Sequence, residues 1–365
     1  MRITRIESFV TRTVGLVRLT VDSGHTGWGQ IATYEAADLV AQTLHRQVAP
    51  VVLGRDPVDR DRLGEAVIEA NLKFPGSYIC RALAAIDTAT WDLQGKLEGK
   101  PVCELLGGSA DPVPVYGSSM RRDITPEDEA ERMARLREEQ GFRAFKLRVG
   151  TPAGHNRDAW PGRTAALIPA VRQALGDEVT IHADANSCYT PDRAFEVGKL
   201  LEDHGYGHFE EPCPYWKMDW TQRVTAKLAI PVAGGEQDNW IPVWERMIRD
   251  HVVDIVQPDI CYVGGVTRAR QVARMAAEYG MLCVPHSANH SLVTVFTLHL
   301  WNALPNHGPF LEFSIEGQES FRAMFTPELK AIDGKVAIPA QGPGWGVTID
   351  EEWLKKAEYG LSEAG

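Results

Sequence analysis

After about Pro114 the chain alternates between short apolar runs and segments with helical spacing, and this alternation constrains the fold more than any other feature. We predict eight strands, at Val113–Gly117, Ala144–Val149, Val179–Ala183, Gly207–Phe209, Pro231–Gly234, Val253–Gln257, Leu282–Pro285 and Phe310–Phe313. Strands that alternate with helices form parallel sheets through right-handed crossovers. Eight such strands favour a closed TIM-type barrel over the alternative, an open doubly wound sheet.

The chain outside the barrel is expected to form a second, smaller module. Residues 1–30 show strand-like alternation, and helical spacing follows at 36–46, 58–72 and 77–97. Strands followed by helices indicate an α+β domain. We therefore predict an α/β protein in which an α+β domain (1–112), called the cap below, precedes a TIM-type barrel (113–325). The segment 326–365 has few long apolar runs and is expected to pack back on the cap.

Three acidic residues stand at the ends of consecutive predicted strands. They are Asp184, Glu210 and Glu236, and the interval from each to the next is 26 residues. Because the carboxyl ends of barrel strands converge on one face, these carboxylates are expected to meet there. Three anions at one place require a cation, and oxygen-only ligands favour Mg²⁺ before Mn²⁺ or Ca²⁺. The alternative is that they are ordinary polar residues at loop starts.

Other reactive side chains fall at neighbouring strand ends. His286 ends the strand that follows Asp259, so the carboxylate could fix one tautomer of the imidazole and raise its basicity. Lys146 and Arg148 are two residues apart in a strand, so both side chains point to the same side, toward the barrel mouth. Glu312 ends the eighth strand, where it could protonate the substrate or form a hydrogen bond with it.

Composition narrows the class of partner. The chain of 365 residues has a formal net charge of −11 and no basic patch, so nucleic acid is a poor partner. No apolar stretch long enough for a membrane span appears, and the first residues lack the apolar centre of a signal peptide. The six cysteines form no CxxC pair, which is typical of free thiols in a reducing cytoplasm. A cytoplasmic protein with a small-molecule partner is expected.

These strand-end motifs together resemble the enolase superfamily, specifically its mandelate racemase subgroup. The resemblance covers almost the whole chain and implies that an α+β capping domain precedes a modified TIM barrel, with the C-terminal segment returning to the cap. The motifs that carry it are K-x-R at 146–148, D-x-N at 184–186, E-E-P at 210–212, G-G-E at 234–236, Q-P-D at 257–259, P-H-S at 285–287 and L-E-F at 311–313. Each motif alone is weak, and the set is highly specific.

The resemblance implies a role for each residue. Asp184, Glu210 and Glu236 would hold Mg²⁺, His286 with Asp259 would be the base on one face of the substrate, and Glu312 would contact the substrate carboxylate. The resemblance also implies a homo-oligomer.

One position departs from the subgroup. Arg148 stands where the subgroup usually has a second lysine that acts as the opposite-face base. Arginine is a poor proton acceptor, so two-base racemisation is disfavoured. His286 becomes the favoured single base, Arg148 and Lys146 would bind the carboxylate or neutralise the enolate, and Lys146 stays open as a base.

The reaction expected from this site is abstraction of the proton next to a carboxylate to give an ene-diolate. Many members of the family then expel water from sugar acids, so we expect a dehydratase of an aldonic or aldaric acid that yields a 2-keto-3-deoxy acid. A racemase, an epimerase or a cycloisomerase is the enzymatic alternative. A metal-binding barrel scaffold without catalysis is the alternative of another class.

Substrate specificity is expected to depend on the cap and on one barrel insertion. The turn that contains His25 and Trp28, and the loop that ends at Tyr78, are predicted to reach over the barrel mouth. The insertion at 150–162 places His155 near the substrate. Asn186, two residues after the first predicted metal ligand, is placed for contacts with the substrate or with that ligand.

Overall fold

The computed structural model describes residues 1–31, 34–318, 321 and 323–365. Its strands are β1 (Ile3–Val10), β2 (Gly15–Val21), β3 (Thr26–Ile31), β4 (Val113–Ser118), β5 (Ala144–Arg148), β6 (Thr180–Asp184), β7 (His208–Glu210), β8 (Val232–Gly234), β9 (Ile255–Val256), β10 (Leu282–Cys283), β11 (Leu311–Ser314), β12 (Phe325–Thr326), β13 (Ala331–Ile332), β14 (Lys335–Val336), β15 (Thr348–Ile349) and β16 (Glu358–Glu363).

Helices connect most of these strands. They are α1 (Ala37–Thr43), α2 (Ala49–Val52), α3 (Arg60–Ala70), α4 (Ser77–Glu98), α5 (Val102–Leu105), α6 (Pro126–Gln140), α7 (Arg163–Leu175), α8 (Pro191–Asp203), α9 (Met218–Thr225), α10 (Ile241–Arg249), α11 (Ile260–Val263), α12 (Val266–Glu278) and α13 (Leu292–Trp301). A π-helical turn spans Leu44–Val48, and a further helix spans Glu351–Lys356. None of the helices in the described residues is long and apolar enough to cross a membrane.

The cap is built on an antiparallel sheet with the order β16-β1-β2-β3. Alternate residues of β2, among them Val17, Leu19 and Val21, are buried in a core shared with α1, α3 and α4. Helix α4 lies directly on β3, because Gly27 and Gly29 have no side chains there and each approaches a backbone carbonyl of α4. The cap therefore has an apolar core of its own beneath one face of its sheet.

The barrel strands β4 to β10 pair in parallel in chain order, and β11 returns to pair with β4. The predicted eight-stranded alternation and the barrel fold are confirmed. Because the strands are parallel, the ends of β5 to β10 and the loops that follow them lie on one face of the barrel. That face is called the mouth below.

The segment after the barrel contacts both modules. Strand β14 pairs with β4, whereas β16 pairs with β1 along the register Arg5↔Glu363 to Val10↔Glu358. Between them, Trp345 is fully buried and donates its indole N–H to backbone carbonyls of the cap. These contacts attach the cap to the barrel, and the domain limits at residues 112 and 325 stay a prediction.

Candidate active site

The register of the barrel strands places three predicted site residues side by side. Arg148 at the end of β5 is the pairing partner of Asp184 at the end of β6, and Asp184 is the partner of Glu210 at the end of β7. Glu236 follows β8 after Gly235, whose φ of +105° and proximity to Trp244 leave no room for a Cβ. Consecutive strands therefore deliver these side chains to the mouth.

Lys146 lies at the centre of a fully buried ion-pair network. Its Nζ atom is 2.8 Å from both carboxylate oxygens of Glu210 and 2.9 Å from Oε1 of Glu312. Glu312 also accepts hydrogen bonds from the Ser118 hydroxyl (2.7 Å) and the Ser287 backbone N–H (3.1 Å). Buried charges are stable only when they are paired in this way, so Lys146 is the counterion of two acids.

The pKa values of this network move in the directions that such pairing requires. Burial alone would raise the pKa of Glu312, but Lys146 and His286 lower it to about 2. Burial likewise acts against the charge on Lys146, but Glu210 and Glu312 raise its pKa above the ordinary value. A lysine held protonated by two carboxylates is an electrostatic group and not a proton acceptor in this arrangement.

Arg148 forms an ion pair with Asp184, so its charge in the barrel interior has a partner. Its Nη1 atom contacts Oδ2 of Asp184 and lies 3.1 Å from Oδ1 of Asn186. Asn186, at a φ of +40°, donates its backbone N–H to Asp184 (2.7 Å) and its amide to the same carboxylate (3.2 Å). Asn186 thus orients Asp184, the first predicted metal ligand, through two hydrogen bonds.

His286 and Asp259 form a buried dyad. His286 Nδ1 lies 2.8 Å from Oδ2 of Asp259, while Oδ1 of the same carboxylate accepts the backbone N–H groups of Cys261 and Tyr262 at the start of α11. Asp259 is therefore both the N-cap of a helix and the partner of the imidazole. The helix cap fixes the carboxylate, and the carboxylate fixes the ring with its Nε2 atom toward the mouth.

The Nε2 atom of His286 faces two acids. It is 3.2 Å from Oε2 of Glu236 and 3.8 Å from Oε2 of Glu312. Burial disfavours the imidazolium, but Glu236, the hydrogen bond to Asp259 and Glu312 together raise the pKa of His286 to about 10. Glu236 is the largest favourable contribution, so the charge of His286 depends on what neutralises Glu236.

The three predicted metal ligands do not form a closed cluster. In the described residues no three His, Cys, Asp or Glu side chains stand close enough together to hold a metal ion, and Lys146 and Arg148 are the counterions of Glu210 and Asp184. The donor set nevertheless fits a hard cation, because all donors are carboxylate oxygens. Oε2 of Glu236 is also buried and accepts no hydrogen bond. The assignment of Asp184, Glu210 and Glu236 as ligands stays a prediction.

Two predicted substrate contacts in the cap are not brought to this face. Strand β3 pairs with β2 from Gly15↔Ile31 to Thr20↔Thr26, so the turn that contains His25 lies at the opposite end of the sheet from Gln30. Gln30 binds Ser291 and Leu292 at the start of α13, on the mouth side. Hence the interpretation of His25 as a substrate contact does not agree with the register, which sequence alone does not give.

Trp28 contacts other cap residues and the C-terminal segment. Its ring packs 5.8 Å from that of Phe9 and lies under the guanidinium of Arg18. Its backbone N–H donates to Asp92 and its carbonyl accepts from Trp345. The structure gives Trp28 a packing role where the cap meets the C-terminal segment, in place of the predicted substrate contact.

The other two predicted specificity residues lie on the mouth side, Tyr78 in the first turn of α4 and His155 in the loop after β5. The backbone of Ser77, next to Tyr78, donates to Oδ1 of Asn239, which lies three residues after Glu236. Tyr78 is 43% exposed there. His155 is exposed in the loop after β5, with a φ of +49°. Their contact with a substrate stays a prediction.

Two contacts in the site did not follow from the sequence. Gln257 donates to Oε2 of Glu210 (2.9 Å), and Ser118 holds Glu312 as described above. Gln257 does fall within the Q-P-D motif, so a signal for it existed. A third residue, Arg122, lies in the loop after β4, where no strand-end pattern marks it; its Nη2 atom donates to Oδ1 of Asn186 (2.7 Å).

Comparison with known proteins places this geometry in a family. Residues 3–107 match the model of the mandelate racemase/muconate lactonizing enzyme N-terminal domain, and residues 128–353 match the enolase C-terminal domain-like model. Together these matches span most of the chain.

Named relatives of similar length act on sugar acids and their lactones. The D-galactarolactone cycloisomerase of Agrobacterium fabrum is 32% identical over 93% of this chain and 89% of its own length. The L-talarate/galactarate dehydratase of Salmonella typhimurium is 30% identical over 84% of this chain and 73% of its own length. The arabinonate dehydratase of Saccharolobus solfataricus is 28% identical over 91% of this chain and 87% of its own length.

Solved structures agree over the full length. A Roseobacter denitrificans protein, provisionally described as a racemase, has 53% identity and a TM-score of 0.97, with 100% of both chains covered. A mandelate racemase/muconate lactonizing protein from Paracoccus denitrificans, complexed with magnesium, has 29% identity and a TM-score of 0.90 over 99% of this chain and 98% of that chain. The chain belongs to the mandelate racemase/muconate lactonizing enzyme family of the enolase superfamily.

Proposed function

We propose that this protein is a Mg²⁺-dependent dehydratase of sugar acids that converts an aldonate or aldarate to its 2-keto-3-deoxy acid. The observation that carries the proposal is the His286–Asp259 dyad, which stands opposite Lys146 and Arg148 across the strand-end acids. The names of the dehydratase relatives support the same class of substrate.

In this proposal His286 is the base, in the neutral form that it would take once a cation held by Glu236 cancels the charge that raises its pKa. The bond between the α-carbon and its hydrogen breaks, the proton goes to Nε2, and the electron pair moves into the carboxylate to give an ene-diolate. Asp259 holds Nδ1–H (2.8 Å) and stabilises the imidazolium that forms. When the bond between the β-carbon and its hydroxyl breaks, His286 returns the proton and water leaves. The resulting enol becomes the 2-keto acid.

The second negative charge on the carboxylate is the main barrier to this step. Preorganised cations at the site of the developing charge supply the stabilisation that usually dominates such catalysis. Lys146 and Arg148 are buried cations of this kind, already oriented by Glu210, Glu312 and Asn186. Asp184, Glu210 and Glu236 would hold Mg²⁺, which supplies Lewis-acid stabilisation of the substrate carboxylate when bound.

The competing function is epimerisation or racemisation, which the description of the Roseobacter structure favours. Two-face chemistry needs a second proton acceptor opposite His286. In this proposal Arg148 occupies that position, and a guanidinium is a poor proton acceptor. Lys146 is held by two carboxylates. We therefore place dehydration first.

The test is incubation of the purified protein and Mg²⁺ with a panel of aldonates and aldarates in D₂O. Formation of 2-keto acid from at least one substrate, abolished in His286→Asn, is the expected result. Deuterium at the α-carbon with inverted configuration and no keto acid would favour epimerisation. No product across the panel, from protein that binds Mg²⁺ by calorimetry, would contradict the proposal.

A further inference from the structure

Arg122 is a cation beside the site that has no assigned role. It lies in the loop after β4, is partly buried, and donates from Nε to the carbonyl of Gly150 (3.0 Å) and from Nη2 to Oδ1 of Asn186 (2.7 Å). Asn186 accepts from Arg148 at the same oxygen (3.1 Å). Two guanidinium groups thus converge on one neutral amide.

Among the described residues Arg122 forms no ion pair with a carboxylate. Two of the neighbouring arginines do: Arg121 binds Asp123 through two hydrogen bonds, and Arg148 contacts Asp184. Burial, together with the like charges of Arg148 and Arg163, lowers the pKa of Arg122 to about 9. A desolvated cation among cations is stabilised by an anion, and none of the carboxylates in the described part of the chain supplies one here.

The donors that remain on Arg122 suit a carboxylate. A guanidinium has five N–H donors, and the two hydrogen bonds above use only two of them. Nη1 and the second hydrogen of Nη2 form the planar fork that binds a carboxylate through two parallel bonds. A sugar hydroxyl would satisfy one donor and none of the charge.

An anion bound at Arg122 would differ from the carboxylate that reacts. Asn186 stands between Arg122 and Asp184, and its amide Nδ2 binds the Asp184 carboxylate (3.2 Å) while its Oδ1 faces Arg122. A substrate group bound at the predicted metal ligands and a second group bound at Arg122 would therefore be separated by the side chain of Asn186. A substrate that reaches both carries a second anionic group.

Building on the proposed function, we propose that Arg122 binds the distal carboxylate of the substrate and that the enzyme therefore prefers aldaric acids to aldonic acids. Arg122 is a specificity-determining residue in this proposal, whereas the reacting end of the substrate is held by Lys146 and Arg148. Substrates that differ only at the far carbon report on Arg122 alone.

The test compares galactarate with galactonate, which differ only in a carboxylate or hydroxymethyl group at carbon six. Turnover and equilibrium binding to the Mg²⁺-loaded protein are measured for wild type, Arg122→Gln, Arg122→Lys and the control Arg121→Gln. Arg121 is adjacent, and its partner is Asp123. We expect wild type to prefer galactarate and Arg122→Gln to lose about 10- to 100-fold in galactarate affinity and kcat/KM.

The same variant is expected to lose several-fold less with galactonate than with galactarate, with Arg122→Lys intermediate and Arg121→Gln like wild type. Equal preference in wild type, or equal losses for both acids in a folded Arg122→Gln protein, would overturn the assignment. Dehydration of either acid would meanwhile leave the proposed function standing. Binding of galactarate without any dehydration of the panel would count against the proposed function and not against the role of Arg122.

Discussion

The carboxylate of Asp259 is shared between His286 and a helix: one oxygen accepts from the imidazole Nδ1 atom at 2.8 Å, and the other caps α11 through two backbone N–H groups. Asp259 is thus both a helix cap and the hydrogen-bond partner of the proposed base. One side chain starts a helix and holds the proposed base, and substitutions of Asp259 can separate these two roles.

Asp259→Asn is expected to keep the fold and lose activity. The amide oxygen can still accept the backbone N–H groups of Cys261 and Tyr262, so stability should change by less than about 1 kcal/mol. The carboxylate that orients His286 and stabilises its protonated form is gone, and kcat should fall about 10²- to 10⁴-fold. Dehydration assays and thermal unfolding measure both. Asp259→Ala, which also removes the cap, should be less stable than Asp259→Asn, and near-wild-type turnover in Asp259→Asn would contradict the dyad.

Removal of the metal is expected to abolish turnover without unfolding the chain. Chelation should stop the reaction and readdition of Mg²⁺ should restore it, since the three carboxylates are proposed as its ligands. Asp184→Asn should weaken Mg²⁺ binding in calorimetry at least tenfold, because a charged ligand is replaced by a neutral one. The matched control is Glu202→Gln, because Glu202 lies outside the site and forms an ion pair with Lys199. Unchanged Mg²⁺ affinity in Asp184→Asn would remove Asp184 from the ligand set.

Arg148→Lys is expected to add chemistry on the second face of the substrate. A lysine amine can lose its proton, whereas a guanidinium does not. The variant should therefore incorporate α-deuterium with inversion, which NMR in D₂O detects, while wild type exchanges on the His286 face alone. Arg148→Met keeps the length and removes the charge, so it controls for simple loss of the arginine. Inversion by the wild-type protein would show that another group is the second base.

The pH dependence of stability is expected to include one proton from His299. This residue is fully buried, accepts the backbone N–H of Cys103 at Nδ1, and donates from Nε2 to the carbonyls of Pro339 and Trp345. Burial lowers its pKa from 6.5 to about 4. Between these values the unfolded chain binds more protons than the native one. Stability should therefore be full above pH 6.5 and should decrease as the pH falls toward 4.

Chemical denaturation across that range measures the effect. The loss attributable to His299 is at most about 3 kcal/mol, and His299→Gln should be less stable at neutral pH but should show a shallower pH slope. His251, exposed and paired with Asp254, offers His251→Gln as a control with the wild-type slope. An unaltered slope in His299→Gln would assign the pH dependence to other groups.

The residues at the strand ends were predictable because the spacing of apolar residues and the position of each run are visible in the sequence. The apolar runs that lead to Asp184, Glu210 and His286 define a barrel, and barrel geometry brings their ends together. The partners of these residues were less visible. That Lys146 binds Glu312 depends on how side chains pack across the barrel interior, which spacing does not reveal.

The cap and the loops show where sequence reasoning stops. The sequence analysis predicts that the turn containing His25 reaches over the mouth, but strand pairing sends that turn to the far end of the sheet. No periodic pattern in the sequence indicates Arg122, because the conformation of the loop after β4 determines the position of its side chain. Both depend on long-range pairing that no local pattern records.

The pairing of β16 with β1 has a consequence for how the molecule is made. Residues 5–10 leave the ribosome early, yet their outer neighbour, residues 358–363, is synthesised hundreds of residues later. The amino-terminal sheet must therefore wait with one edge uncovered until the barrel has emerged. Truncation before residue 358 should accordingly expose that edge and promote aggregation, even though every residue of the candidate active site would be present.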